Sequence, residues 1–457
     1  MIEFPNQCSM GRDSASAPTR IQRKQPFKRR ACVTLLLSLV GALGCGEEEG
    51  AAEPPAPPPE FELEIPALSE GDGHWNPSQR GVALDVEDEQ LFSVFDATEL
   101  SSKFRTLVLN RPLIDWRIDD CLDVNEAAEY QPAQTATQIL ETLRARGVNV
   151  EDFDQLAVNV SLLNPSRTQL LQLCLDPSGG APSFFLPEHR AHVKAAFREL
   201  AQLPNIGSIT VGLEMNNYRY LLELPNGIDP AADYLNFVTL YKEIYQEIKE
   251  VNSEIRVGPG LSWNFFMNES VPTAAQSRSL SLEVPEDRRL AVHLAQRQHI
   301  SPFLKDLDGS ARADFVAWSM IELAAAPFNG DPAPVDEVLQ EAVREHYRYL
   351  QVVSEDLPVV LPQIDWRSQN RATASLKSDF LETLKAALSH VEIEWAAWRR
   401  LGDILSANES TGTNACDRYI ESVNNTEYSI DYCYAGMLDS NGQGEQRGVY
   451  AVMTTDP

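Results

Sequence analysis

The feature that most constrains this chain is an alternation. From about residue 78 onward, short apolar runs rich in β-branched and aromatic residues take turns with longer stretches whose apolar residues recur three and four positions apart. Runs of the first kind read as strands and stretches of the second as amphipathic helices, and that order argues for a parallel sheet covered by helices. Eight runs read as strands: Gly81 to Val86, Thr106 to Leu109, Leu156 to Ser161, Ile209 to Glu214, Ile255 to Gly260, Phe315 to Ser319, Val359 to Gln363 and Val391 to Trp395. Helices are expected at Ala136 to Arg146, Glu188 to Gln202, Ala232 to Glu250, Val335 to Val353 and Ala374 to Ser389. Pro187 suits a helix start and Asn252 a helix end. Eight strand–helix steps predict an α/β fold, a single (β/α)8 TIM barrel with long loops, over a doubly wound sheet, which periodicity alone leaves open. The tail from Gly402 to Pro457, rich in Asn, Ser and Gly, reads as a closing loop.

The N-terminal segment reads differently. Lys28-Arg29-Arg30, the apolar stretch Ala31 to Val40 and the small residues Gly41 to Gly44 form the three parts of a secretory signal, too short to span a membrane. The run Ala42-Leu43-Gly44-Cys45 resembles the lipobox of bacterial lipoproteins, with Ala42 where Leu is usual. The resemblance implies acylation of Cys45 and an exported protein anchored to the bacterial envelope; ordinary cleavage leaving a free cysteine is the other reading. Residues 46–77 read as an acidic, Pro-rich spacer. The expected organisation is therefore a signal peptide over 1–45, a linker over 46–77 and the barrel over 78–457.

Charge narrows the partners. The chain holds 38 Lys plus Arg against 67 Asp plus Glu, net −29. Seven basic and two acidic residues precede Cys45, so removing that +5 leaves about −34 on the mature chain. Such a surface repels nucleic acid and anionic lipid, which leaves the lipid anchor as the only membrane contact, and a monomer is expected. Beyond Cys8, Cys32 and Cys45, the four cysteines Cys121, Cys174, Cys416 and Cys433 are an even number in an oxidising compartment. Two disulfides are expected. Of three possible pairings, Cys121 with Cys174 and Cys416 with Cys433 would each staple neighbouring loops. Their spacing does not suit zinc, and the acidic loop Asp119 to Glu126 lacks the Gly-centred spacing of a calcium loop, so no metal or cofactor is expected.

In a barrel of this kind chemistry sits where strands end, at the C-terminal face. The fourth run ends in Leu213-Glu214-Met215-Asn216 and the seventh in Gln363-Ile364-Asp365-Trp366. Cleaving a glycosidic bond takes one carboxyl group to protonate the leaving oxygen and a second carboxylate, about 5 Å away in retaining enzymes, to attack the anomeric carbon. Glu214 suits the first role, or that of a ligand-binding carboxylate, with a buried carboxylate paired to an Arg such as Arg111 or Arg117 as the other reading. Asp365, Glu392, Glu394 and Glu322 are substitutes for the second, with loop capping or hydrogen bonding as the other reading of Asp365. Sugar rings also stack C–H faces on aromatic rings. Six of the seven tryptophans, Trp116, Trp263, Trp318, Trp366, Trp395 and Trp398, fall at or just past an expected strand end, and two or three of them are expected to line a cleft. Trp116, Trp263, Trp366 and Trp395, with Asn110, Asn216 and Gln363, are the candidate substrate contacts.

The order and spacing of Gly212-Leu213-Glu214-Met215-Asn216, of Ile248-Lys249-Glu250-Val251-Asn252 before Ile255-Arg256-Val257-Gly258, and of Gln363-Ile364-Asp365-Trp366-Arg367-Ser368 resemble the fourth-, fifth- and seventh-strand segments of glycoside hydrolases with a 4/7 carboxylate pair (clan A, the endo-galactanase and cellulase-like barrels). Tyr434 to Gly442 is similar to the closing loop of such enzymes. The likeness spans most of residues 78 to 445. It implies a sugar-shaped cleft, an oligo- or polysaccharide partner and an acid/base role for Glu214.

Two departures qualify what it implies. The family places an Asn before the acid/base Glu, and this chain has Leu213. Its nucleophile is a Glu at the position occupied here by Gln363. An amide supplies no nucleophilic carboxylate, so the expectation is a weak or altered glycosidase or a glycan binder, with a non-catalytic envelope scaffold, or an enzyme of another reaction type on the same fold, as alternatives.

Overall fold

The computed structural model describes residues 75–84, 99–112, 132–163, 170, 183–218, 229–322, 343–366, 374–402, 436–438 and 448–454, all within the compact unit Glu62–Pro457. The signal, residues 46–74 of the expected linker and residues Cys45, Cys121, Cys174, Cys416, Cys433 and Trp116 lie outside the described residues, whereas Trp75, at the end of that linker, is buried.

Eight parallel strands close into a barrel in chain order: β1 (Arg80–Ala83), β2 (Thr106–Pro112), β3 (Gln155–Ser161), β4 (Ile206–Val211), β5 (Arg256–Ser262), β6 (Val316–Glu322), β7 (Val359–Trp366) and β8 (Ile393–Trp398). Closure is the β1–β8 pairing, Gly81 opposite Ala397. The expected (β/α)8 barrel is therefore the fold, and it is reached by the period-two alternation within each strand. Val82, Leu107, Leu109, Val158, Val316, Val359 and Leu361 point outward and share one core with helix residues such as Ile139, Phe197, Phe237, Tyr241 and Leu384. Ala83, Val108, Ala157, Ala317, Val360 and Ala397 point inward and, with Phe315 and Trp395, form a separate core that no helix enters. Small residues dominate that inner core because two large rings already occupy it. A methyl group at Gly81 would sit 3.0 Å from Val108 and 3.4 Å from the Trp395 ring.

The helices Pro132–Ala145, Pro187–Leu200, Pro230–Val251 and Ala374–Ala387 cover the outside. Pro187 stands at the start of its helix and Asn252 caps the end of the next, as their chemistry predicts. Two further helices between β5 and β6, Val271–Arg278 and Pro285–His299, are not among the sequence expectations. The second buries Ala291, Val292, His293, Ala295, Gln296 and His299, a face too small and polar to stand out as an apolar stripe. The tail differs from a plain closing loop. Gly436–Leu438 pairs in parallel with Arg400–Gly402 just past β8, and Val449–Thr454 is a helix. Arg80 donates to the Thr454 carbonyl at 3.0 Å and Lys385 to that of Val452 at 2.9 Å, two cations at a helix C-terminus that tie this helix to β1 and to the helix Ala374–Ala387.

Candidate active site

Helices in this fold run antiparallel to the strands, so the strand C-termini and the helix N-termini share one face. The turn that leaves β4 on this face carries Glu214. The strand stops at Val211, earlier than expected, and the backbone then takes φ 74° at Gly212 and φ 57° at Glu214, both left-handed. Gly212 has no room for a side chain, since a Cβ there would lie 2.3 Å from Met215 Cγ. A glutamate in this conformation costs about 1–3 kcal/mol, which the surroundings must over-determine. They do so on both sides of the turn. Asn216 donates to the Ser262 carbonyl at 2.8 Å and accepts from the Ser262 N–H at 2.7 Å, locking the turn to the end of β5. Tyr218 donates to Asp233 at 2.5 Å, locking it to the helix Pro230–Val251. Burial and this bond both push the Tyr218 phenol well above its ordinary pKa, so it stays a donor. Asn216, expected to contact substrate, thus commits both ends of its amide to the Ser262 backbone, while Glu214 is held 5% exposed.

The inner faces of the strands leading to this end are lined with neutral polar groups. Asn110, Asn159 and Thr210 are cross-strand partners on β2, β3 and β4. Asn159 donates to Asn110 Oδ1 at 2.8 Å. Asn110 Nδ2, Asn159 Oδ1, Thr210 Oγ1, Ser319 Oγ and Gln363 Oε1 are shielded from solvent and make no hydrogen bond. Buried polar groups are nearly always paired, so this set of unused donors and acceptors reads as capacity for a polar guest or ordered water.

Asp365 follows Gln363 on the inner side of β7, and the strand does continue through it. The carboxylate is fully buried, accepts a hydrogen bond from Arg399 at 3.2 Å and lies 3.8 Å from Lys377 Nζ, with both cations also buried. Arg399 comes from just past β8 and Lys377 from the helix after β7, so the β7–β8 pairing creates this cluster. Glu394 does not belong to this end of the barrel, which corrects the expectation that it could oppose Glu214. It is the second residue of β8 and pairs with Arg256 at the start of β5, 2.6 Å away. Burial raises its pKa while Arg256 pulls the other way. That pair plugs the opposite, N-terminal end. Glu322 is the last residue of β6, but its side chain lies outside what the structure describes.

The tryptophans are packed rather than presented. Trp263, Trp318, Trp395 and Trp398 are each 0% exposed. Trp395 fills the barrel interior, and Trp263 lies between Trp318, Phe266 and Tyr347 on the outer side. Trp366 closes β7, and its side chain too lies outside the description. Among the described residues no group of three or more His, Cys, Asp and Glu is arranged to hold a metal, and no helix is long and apolar enough to cross a membrane.

No protein-family model and no curated protein sequence matches the chain. Solved structures do. The exo-beta-1,4-mannosidase Op5Man5 from Opitutaceae bacterium strain TAV5 superposes with a TM-score of 0.50 at 12% identity, over 86% of this chain and 61% of that one, so this chain spans under two thirds of the mannosidase's length. The Ignisphaera aggregans GH53 catalytic domain aligns over 86% of this chain and 100% of its own, with a TM-score of 0.47 and 12% identity. A GH5_18 from Streptomyces cattleya in complex with GlcNAc aligns over 83% and 82%, with a TM-score of 0.48 and 12% identity. These structural neighbours are glycoside hydrolases, and at 12% identity the likeness to the mannosidase shows the (β/α)8 fold alone.

Proposed function

We propose that this chain is an exported, lipid-anchored protein of the bacterial envelope whose barrel binds a neutral oligo- or polysaccharide at its C-terminal face and hydrolyses β-glycosides slowly or not at all. The observation that carries this reading is the contrast between the two strand ends. Glu214 is retained on a turn fixed from both sides, whereas the seventh strand offers Gln363, an amide, and behind it an Asp365 whose carboxylate is engaged by Arg399 and Lys377. The glycosyl-enzyme route needs a free carboxylate about 5 Å from the acid, and an ion-paired, fully buried one is a poor nucleophile. Glu214 is the carboxyl group from which, on this reading, a hydrogen bond or a proton to a glycosidic oxygen would come. Asn110 Nδ2, Asn159 Oδ1, Thr210 Oγ1, Ser319 Oγ and Gln363 Oε1 are neutral donors and acceptors of the kind suited to sugar hydroxyls. The barrel shared with the exo-beta-1,4-mannosidase is in keeping with this reading.

A second reading, an envelope scaffold that keeps the barrel without the cleft, draws on the complete burial of four tryptophans that would otherwise be sugar platforms. Calorimetric titration against a panel of neutral oligosaccharides separates the two. The sugar-binding account expects saturable binding by the wild type and at least a tenfold loss in Glu214→Gln; a wild type that binds no glycan favours the scaffold.

A further inference from the structure

We propose that Phe185 is a stacking platform at the rim of the C-terminal face, for a sugar ring lying beyond the one beside Glu214; the inference rests on the carbohydrate-binding reading above. Phe185 stands two residues before the helix Pro187–Leu200, which follows β3 and so begins at that face. It is 72% exposed and the only strongly exposed aromatic among the described residues.

A lone exposed phenyl on a loose loop would mean little. This one is held. Asp233, buried in the first turn of the helix Pro230–Val251, accepts from Ser183 Oγ at 2.7 Å, from the Phe184 and Phe185 N–H groups at 3.1 Å each, from Asn236 at 3.2 Å and from Tyr218 at 2.5 Å. The Phe185 N–H is also 3.1 Å from Ser183 Oγ. A single carboxylate therefore fixes the backbone of Phe185 and the turn that carries Glu214 relative to one another. Two successive phenylalanines are used oppositely. Phe184 packs inward on Tyr218 and Phe237, with ring centroids 5.4 and 5.0 Å apart, and Phe185 is left facing solvent.

A ring carried on a fixed backbone loses less freedom on binding than one on a loose loop, and its apolar face matches the C–H face of a pyranose. Among the residues whose side chains the structure describes, Phe185 is the exposed aromatic surface at this face. A glycan is the occupant this geometry favours because the same carboxylate links the ring to the Glu214 turn.

The test uses the whole mature protein and neutral oligosaccharides of two to six units, titrated with the wild type, Phe185→Ala, Phe185→Trp, Glu214→Gln and a surface control, Leu307→Ala. For the glycan that the wild type binds, Phe185→Ala is expected to weaken the hexasaccharide about tenfold and leave the disaccharide unchanged, with an unaltered melting temperature. Phe185→Trp retains the hexasaccharide affinity, and Leu307→Ala changes neither. Equal affinities of Phe185→Ala and wild type at every length, beside lost binding in Glu214→Gln, overturn the platform and leave the sugar-binding account standing. A uniform weakening that includes the disaccharide also overturns it. Absence of binding by the wild type overturns both.

Discussion

Asp365 and Arg399 meet across the β7–β8 seam with 3.2 Å between carboxylate and guanidinium, in a place where neither reaches solvent. Lys377, 3.8 Å away on the other side, makes the cluster a buried charge triad. Removing one member of such a group strands the others in a poorly polarisable interior, which typically costs 3–5 kcal/mol, so Asp365→Asn is expected to lower unfolding free energy by roughly that amount in denaturant titration. Oligosaccharide affinity of the folded variant should hold. An Asp365→Asn protein that melts like the wild type but loses a measurable turnover would instead make Asp365 a catalytic carboxylate.

His189 supplies a pH prediction. Burial lowers its pKa from 6.5 to about 4, against the pull of Asp233 and with a small contribution from His192. Between those values the unfolded chain binds a proton that the folded one refuses, so stability falls as pH drops from 6.5 to 4 and is flat in this respect above 6.5. The contribution is about 3 kcal/mol at most. His189→Gln should therefore lose less stability over that window than the wild type does, read as melting temperature against pH; parallel curves would show that His189 takes up its proton as readily in the folded as in the unfolded chain, which contradicts the lowered value.

Export and anchoring rest on the N-terminal sequence. Cells given a clickable fatty acid should label the wild type at Cys45 and leave Cys45→Ser unlabelled. Equal labelling of both would remove the anchor from the account.

Much of the barrel is legible in the sequence because it follows from local rules. All eight expected strands overlap the observed ones, and Pro187 and Asn252 mark their helix ends, since φ restriction and capping act within a few residues. What was not legible depends on register and closure. Glu394 is read near the end of an eighth strand over Val391 to Trp395, but the strand runs Ile393–Trp398, and a shift of two to three residues moves the carboxylate from one end of the barrel to the other. The partners of Asp365 arrive from the next strand and the next helix, so no spacing announces them. Tryptophans at strand ends suggest a cleft, yet alternation alone cannot tell an inward Trp395 in a packed interior from one at an open mouth. Phe184-Phe185 gives no sign of which ring is buried until Asp233, about fifty residues later, is seen to hold them.

The central claim is that Gln363 on β7 stands where a nucleophilic carboxylate is missing from a site that keeps Glu214. It is tested most directly by kcat/KM of Gln363→Glu on a panel of activated aryl β-glycosides, beside the wild type and the double variant Gln363→Glu/Glu214→Gln. The account predicts negligible turnover by the wild type, a gain of at least two orders of magnitude in Gln363→Glu, and its loss in the double variant. Brisk hydrolysis by the wild type that Gln363→Glu leaves unchanged would contradict it.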